Sequence, residues 1–269
     1  MKKLTLYTLL ILFNYKTYSQ SAPTPDGSTF THEKNYKWGV GVQVNSVEGF
    51  SQYEKSLFDY SSYSILEFEW KNNSYSSGVR GIYRLNENTF LNCQAGTTQI
   101  NLSSNSDSRT GSSAVPGAYT LGNSQITEAR YYCSPRIGWE MRKSKFGFNG
   151  GFAILFTSYS DYKLEGHGND YDANNTMVAY YKFHRTASGG YTTGTGAFAG
   201  FNVYLFKHIS IGADVSSALI YYKLGSTITT TYEQIYPTGV PSNTYSFFYS
   251  RKGFEYSGEK LSFNIIYLF

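Results

Sequence analysis

Three groups of side chains in this sequence could do chemistry. Cys93 and Cys133 could form a disulfide in an oxidising compartment if their Cα atoms lie within about 7 Å, or stay as two thiols on a buried or lipid-facing wall. Arg80, Arg84, Arg130, Arg136, Glu128, Glu140 and Asp214 carry charges of both signs that could cancel as an ion-pair network or line a selectivity filter. Asp161, Glu165, His167, Asp170 and Asp172 could hold a divalent cation, but their spacing lacks the EF-hand pattern, so solvated acids are expected there. No catalytic residue, cofactor or resident metal is expected. A net charge of +4, spread along the chain, gives no ground for nucleic-acid binding.

The elements that must position these groups begin with an export signal. In residues 1–20, Lys2 and Lys3 precede an apolar run from Leu4 to Phe13, and Thr17-Tyr18-Ser19-Gln20 offers a cleavage site. The run is too short to span a bilayer as a helix, and no later uncharged apolar stretch approaches the roughly 20 residues needed. Residues 21–35 are a polar, flexible lead-in with two prolines. Among 269 residues there are 27 Tyr, 19 Phe and 26 Gly, yet only 16% are charged, where a soluble domain carries about a quarter. Few charges, many aromatics and no spanning helix imply a β-protein with a lipid-facing outside.

From Tyr36 onward apolar side chains recur with a period of two, the strand signal. Eight segments show it. The first sets Trp38, Val40, Val42 and Val44 on one face. The second sets Val79, Tyr83 and Leu85 against Arg80, Ile82 and Arg84; the third, Leu91, Cys93 and Ala95 against Asn92 and Gln94. The fourth opposes Tyr131, Cys133, Ile137 and Trp139 to Arg130, Arg136 and Glu140, and the fifth carries Phe146, Phe148, Phe152, Ile154 and Phe156 outside. The sixth and seventh run from Ala197 to Leu205 and from Ile209 to Leu219, with Asp214 inside. The eighth ends on Leu261, Phe263, Ile265, Tyr267 and Phe269. Between Tyr63 and Leu85 the phase changes, which a bulge near Lys71 to Ser74 would repair, or a further hairpin would explain by raising the count to ten.

The connections choose between a soluble sandwich and a membrane barrel. Asn86-Glu87-Asn88, Arg142 to Lys145 and Lys207-His208 are tight turns. Glu48 to Ser62, Ser103 to Ser124, Asp161 to Thr195 and Ser226 to Thr244 are long polar stretches. Short and long connections alternate strictly, as in an up-and-down transmembrane barrel with short periplasmic turns and long extracellular loops. Residues 36–269 are therefore expected to form an all-β, antiparallel outer-membrane barrel of about eight strands, termini in the periplasm. Closure is required because an open sheet edge in hydrocarbon leaves backbone groups unsatisfied, at several kcal/mol each. Trp38, Tyr131, Trp139, Tyr267 and Phe269 are expected in the aromatic girdles, and Arg80, Arg84, Arg130, Arg136, Glu140 and Asp214 in a packed lumen.

The alternating segment Leu261-Ser262-Phe263-Asn264-Ile265-Ile266-Tyr267-Leu268-Phe269, with its terminal aromatic, resembles the assembly signal of outer-membrane barrels. With the loop pattern, residues 36–269 resemble small Gram-negative barrels of the OmpA/OmpX-like class, and the Ser-Gln ending of the export signal resembles those of Bacteroidetes. The resemblance implies contact with outer-membrane lipid and lipopolysaccharide and insertion by the barrel-assembly machinery; since the chain stops at the last strand, no added peptidoglycan-binding domain is expected. His208-Ile209-Ser210 is superficially similar to the His-x-Ser of barrel lipid A deacylases. It departs from them in having Ile211 where they have Asn, in lacking a Glu at the expected distance, and in lying at a predicted periplasmic turn. The function expected is a non-enzymatic structural or surface-interaction protein working through its long loops. The alternative is a small-solute pore, or an accessory subunit of a larger outer-membrane transport or secretion complex that would have an outer-membrane protein partner.

Overall fold

Alternation with a period of two carries directly into strands. The computed structural model describes residues 36–46, 71–72, 74–107, 117–206, 208–225, 227–237 and 242–269; the export signal and lead-in expected at 1–35 lie outside them. The strands are β1 (Trp38–Asn45), β2 (Lys71–Asn72), β3 (Tyr75–Arg84), β4 (Thr89–Asp107), β5 (Tyr119–Lys143), β6 (Phe146–Tyr159), β7 (Tyr162–Tyr171), β8 (Met177–Ala187), β9 (Gly190–Phe206), β10 (Ile209–Leu224), β11 (Thr227–Tyr236), β12 (Asn243–Phe248) and β13 (Arg251–Leu268). All pair antiparallel in one sheet.

Eight of them close a ring: β1–β3–β4–β5–β6–β9–β10–β13 and back to β1. Partners followed round it from Val42 run through Val79, Ala95, Cys133, Phe156, Thr193 and Tyr221 to Phe254, whereas Val42 itself pairs with Ile265. That offset of eleven residues along β13 is the stagger that tilted strands need to close a barrel. The seam is backbone-bonded to its end, with Trp38 N on Phe269 O at 3.1 Å and Phe269 N on Trp38 O at 2.9 Å.

Tight turns join the ring strands at one end. Asn86 Oδ1 accepts the N–H groups of Asn88 and Thr89 at 2.9 and 2.8 Å, an Asx turn that reverses the chain between β3 and β4. Ser144, at φ 55°, allows the two-residue reversal between β5 and β6. His208 accepts Leu268 N at 2.7 Å on its carbonyl and contacts Leu268 O through Nδ1 at 2.9 Å, fastening the β9–β10 turn to β13.

At the other end the strands do not stop at the ring. β5 pairs with β6 through its second half and with β7 through its first half, so β6 and β7 are one ladder interrupted at Ser160–Asp161. β8 likewise leads into β9, β10 into β11, and β12 into β13. The resulting upper storey has the order β2–β4–β5–β7–β8–β11–β12. The polar stretches expected as loops at 161–195 and 226–244 are thus largely strand, and 103–124 is strand at both ends. Thr- and Tyr-rich runs such as Thr227–Tyr236 favour strand, but with polar groups on both faces they lack the apolar alternation that marks a strand in lipid.

The expected bulge near Lys71 to Ser74 is not found among the described residues. Lys71 pairs with Ser103, Asn72 with Leu102 and Tyr75 with Gln99, an unbroken register across the gap. A register shift does occur between β10 and β13. Ser216 faces Lys260 and Ala218 faces Ser257, so the extra residue lies in β13 and exchanges its odd and even faces.

Candidate functional site

The interior of the ring holds the charged residues in layers. Nearest the short turns, Glu140 accepts hydrogen bonds from Arg84 and from the Tyr204 hydroxyl, and Arg84 Nη2 also reaches Tyr204 Oη at 3.0 Å. Arg142 lies 3.6 Å above the Tyr204 ring centroid, a cation–π contact. Tyr204, Ile266 and Leu268 seal this end as a buried apolar cluster, with Tyr36 and Ile82 against it. Above it, Phe90, Ala153 and Phe198 form a second apolar layer. Gly138 is required there, because a Cβ would lie 2.7 and 2.8 Å from the Phe90 and Phe198 rings.

The next layer is an ion triad. Asp214 receives Arg80 Nη1 on Oδ2 at 2.5 Å and Arg136 Nη1 on Oδ1 at 2.9 Å, with all three side chains at most 5% exposed. Arg136 also lies 5.0 Å over the Phe198 ring. Arg130 pairs with Glu128 at 2.9 Å higher up. The six lumenal residues named from the sequence therefore face the interior, and all belong to ion pairs. Sequence reasoning passed over the neutral groups that bind the walls together. Tyr132 Oη accepts Asn45 Nδ2 at 2.7 Å and Gln43 Nε2 at 3.0 Å, and the slot it fills exists because Gly78 and Gly96 leave no Cβ within reach of it. Tyr204, Tyr132, Gln43 and Gln94 all sit on inward positions of the alternation, which was the available signal.

A third apolar cluster caps the ring where it meets the upper storey: Ile100, Leu102, Ile126, Tyr162, Ala187, Tyr222, Leu224 and Ile228. Between this cap and the ion triad lies a chamber of about 100 Å³.

The outer wall is the reverse of the lumen. Val42 is 61% exposed and Phe152 65%, while Arg80 and Asp214 are 2% exposed. From Phe146 to Phe156 the outward side chains of β6 are apolar apart from Gly150, and β7 beyond it turns out Lys163, Glu165 and His167. Trp38, Trp139, Tyr267 and Phe269 stand exposed towards the short-turn end, whereas Tyr131 lies mid-β5, where the outer wall changes from apolar to polar. Cys93 and Cys133 are exposed free thiols on this wall. They are diagonal neighbours, since Cys93 pairs with Pro135 and Cys133 with Ala95, and their sulfurs are 3.9 Å apart.

No protein-family model matches the sequence, and no curated protein does. Among solved structures, the chain is similar to the outer membrane protein OprG from Pseudomonas aeruginosa, at 11% identity over 88% of this chain and 98% of that one, with a TM-score of 0.41. It is also similar to a major outer membrane protein from Thermus thermophilus, at 12% identity over 86% of this chain and 99% of that one, with a TM-score of 0.36.

The remaining reactive groups are separated. Asp172 accepts Asn174 N and Thr176 N at 2.8 Å each and so builds the β7–β8 turn. Asp170 accepts Thr120 Oγ1 at 2.7 Å, Asp161 accepts Gly189 N at 3.1 Å, and Glu165 meets His184 at 3.2 Å. Among the described residues no group of three or more His, Cys, Asp or Glu side chains converges on a metal position. The His208 ring, besides its Leu268 contact, stacks on Tyr267 with centroids 5.5 Å apart, and Ser210 is buried.

Proposed function

We propose that the protein is a non-enzymatic integral barrel of a Gram-negative outer membrane. Its short turns would face the periplasm, and its upper storey would stand outside the cell as the working surface. What supports this is the inside-out ring: exposed aliphatic and aromatic side chains on the wall, buried charges within. In water such a wall costs roughly 25 cal/mol for each Å² of apolar surface left exposed, a penalty absent in lipid. A closed ring also leaves no unpaired strand edge in hydrocarbon. The apolar stretch of β6 from Phe146 to Phe156 matches the roughly 9–11 residues that a tilted strand needs to cross the bilayer.

The layered lumen supports a closed barrel rather than a pore, since eight strands leave an interior only wide enough for side chains. The upper storey, rich in Tyr, Thr and Ser, suits adaptable contact with lipopolysaccharide or an outer-membrane partner protein. The alternating end of β13 would serve the barrel-assembly machinery. Two measurements test the proposal. The protein should sediment with membranes and require detergent, and recovery in the soluble periplasmic fraction would overturn the placement. In a planar bilayer it should pass no stable current; ohmic steps would replace the closed lumen with a small-solute pore.

A further inference from the structure

We propose that the outer wall of β10 and β13 binds the phosphorylated headgroup of an outer-leaflet glycolipid, the lipid A part of lipopolysaccharide, through Lys223 and Lys252. This rests on the proposed outer-membrane placement and names a lipid that one face of the wall takes. The first observation is an uncompensated pair of like charges. Lys223 and Lys252 are cross-strand partners, and both are exposed. Gly253 between Lys252 and Phe254 faces inward, where a Cβ would lie 2.9 Å from the hydroxyl of the buried Tyr222, so its two neighbours face out. Like charges directly opposite each other destabilise a sheet. Among the described residues no carboxylate forms an ion pair with either lysine. Glu255 of the same strand falls on the inner face beside Ile220, and the partner of Lys223 on β9 is Tyr191. An anion held between the two ammonium groups removes the repulsion.

The second observation is what lies beneath them. Towards the short turns, the next outward pairs are Tyr221–Phe254 and Leu219–Tyr256. Phe254 is 73% exposed and Tyr256 63%, and the Tyr221 and Phe254 rings meet edge to face with centroids 5.3 Å apart. Two cations thus stand over an apolar, aromatic shelf on one face of two adjacent strands.

The third observation is height. The outward positions of β10 are apolar from Ile209 to Leu219 apart from Ser217, a run that already fills the roughly 9–11 residues a tilted strand needs to cross hydrocarbon. Tyr221 and Phe254 then fall at the interface, where aromatic girdles sit, and the lysines at headgroup level. Free phosphate would meet the lysines and leave the shelf bare. A zwitterionic lipid would cover the shelf and bring no net charge. A phosphorylated, acylated glycolipid matches both, with its phosphate between the lysines and its chains along the wall.

The test is native mass spectrometry of the full chain, folded in a sugar-headed detergent, with lipid A, chemically dephosphorylated lipid A and inorganic phosphate as probes. Lipid A should bind more tightly than its dephosphorylated form, and inorganic phosphate at equal concentration should not displace it. Lys223→Gln/Lys252→Gln should weaken lipid A binding by about thirtyfold and each single change by about fivefold, the usual worth of a basic residue beside an anionic lipid surface. Both lysines are exposed, so these variants keep the packed interior. Lys143→Gln/Lys145→Gln, exposed at the short-turn end, should bind like the parent. Equal binding of dephosphorylated lipid A, displacement by inorganic phosphate, a Lys223/Lys252 double variant that binds like the parent, or an equal loss in the Lys143/Lys145 variant would overturn the inference. A chain that needs detergent yet gives one of those results loses this site alone, whereas a chain recovered without detergent loses the membrane placement as well.

Discussion

Removing the Asp214 carboxylate should be among the most destabilising single changes in the barrel. Asp214 lies between Arg80 Nη1 at 2.5 Å and Arg136 Nη1 at 2.9 Å, all three side chains almost wholly buried. Asp214→Ala strands two guanidinium groups in the lumen with no counter-charge between them. Breaking a buried pair by removing one partner costs about 3–5 kcal/mol, and here one deletion breaks two pairs, so the upper part of that range is expected. The companion variant Arg80→Met/Arg136→Met/Asp214→Leu removes the charges together. Replacing a whole buried ionic cluster with apolar groups is often neutral or stabilising, so it should recover most of the loss. Unfolding by urea of protein folded into lipid vesicles, followed by circular dichroism and tryptophan fluorescence, reads both variants. A loss below about 1 kcal/mol for Asp214→Ala, or a triple variant weaker still, would refute the view that the triad is a tightly coupled, dry layer.

Four further outcomes follow from the same geometry. Phe152→Arg puts a charge on the outer wall and should cost about 2–4 kcal/mol in vesicle-folded protein by urea midpoint, whereas an inward Asn149→Ser should cost far less. Gly138→Ala forces a methyl against Phe90 and Phe198 and should cost about 1–3 kcal/mol by the same assay. Tyr204→Phe deletes the hydroxyl shared by Glu140 and Arg84 and should lose about 1.5–3 kcal/mol, the worth of a hydrogen bond to a charged group. Mild oxidation by a disulfide-exchange oxidant should bridge Cys93 and Cys133, seen in the intact mass as loss of two hydrogens and abolished in Cys93→Ser.

The ring was legible in the sequence because its strands alternate strictly: outward Val40, Val42 and Val44 against inward Gln43 admit only one phase. The lumenal charges were legible for the same reason, since Arg136 and Asp214 fall on the face opposite the exposed apolar residues of their strands. Which charge pairs with which was not, because Arg80 and Asp214 are 134 residues apart and meet only through the stagger of the closed ring. The upper storey was hidden for the opposite physical reason. In β7 and β11, outward Lys163, Glu165, Thr229 and Glu233 sit beside inward polar residues such as Thr230 and Arg185, so no apolar period marks the strand. Tyr131, expected in an aromatic girdle, lies midway along β5, because that strand continues well past the apolar band.

The central claim, that the ring's outer wall lies in hydrocarbon, is tested most directly by lipid quenching of single-site fluorophores along β6. Both native cysteines are first replaced by serine, and labels are placed one at a time at Phe148, Asn149, Phe152, Ala153, Ile154 and Leu155. Brominated lipid chains should quench the labels at Phe148, Phe152 and Ile154 strongly and those at Asn149, Ala153 and Leu155 weakly, a period of two along the strand. Uniform quenching, no quenching, or the opposite phase would contradict a membrane-embedded barrel with its polar face inside.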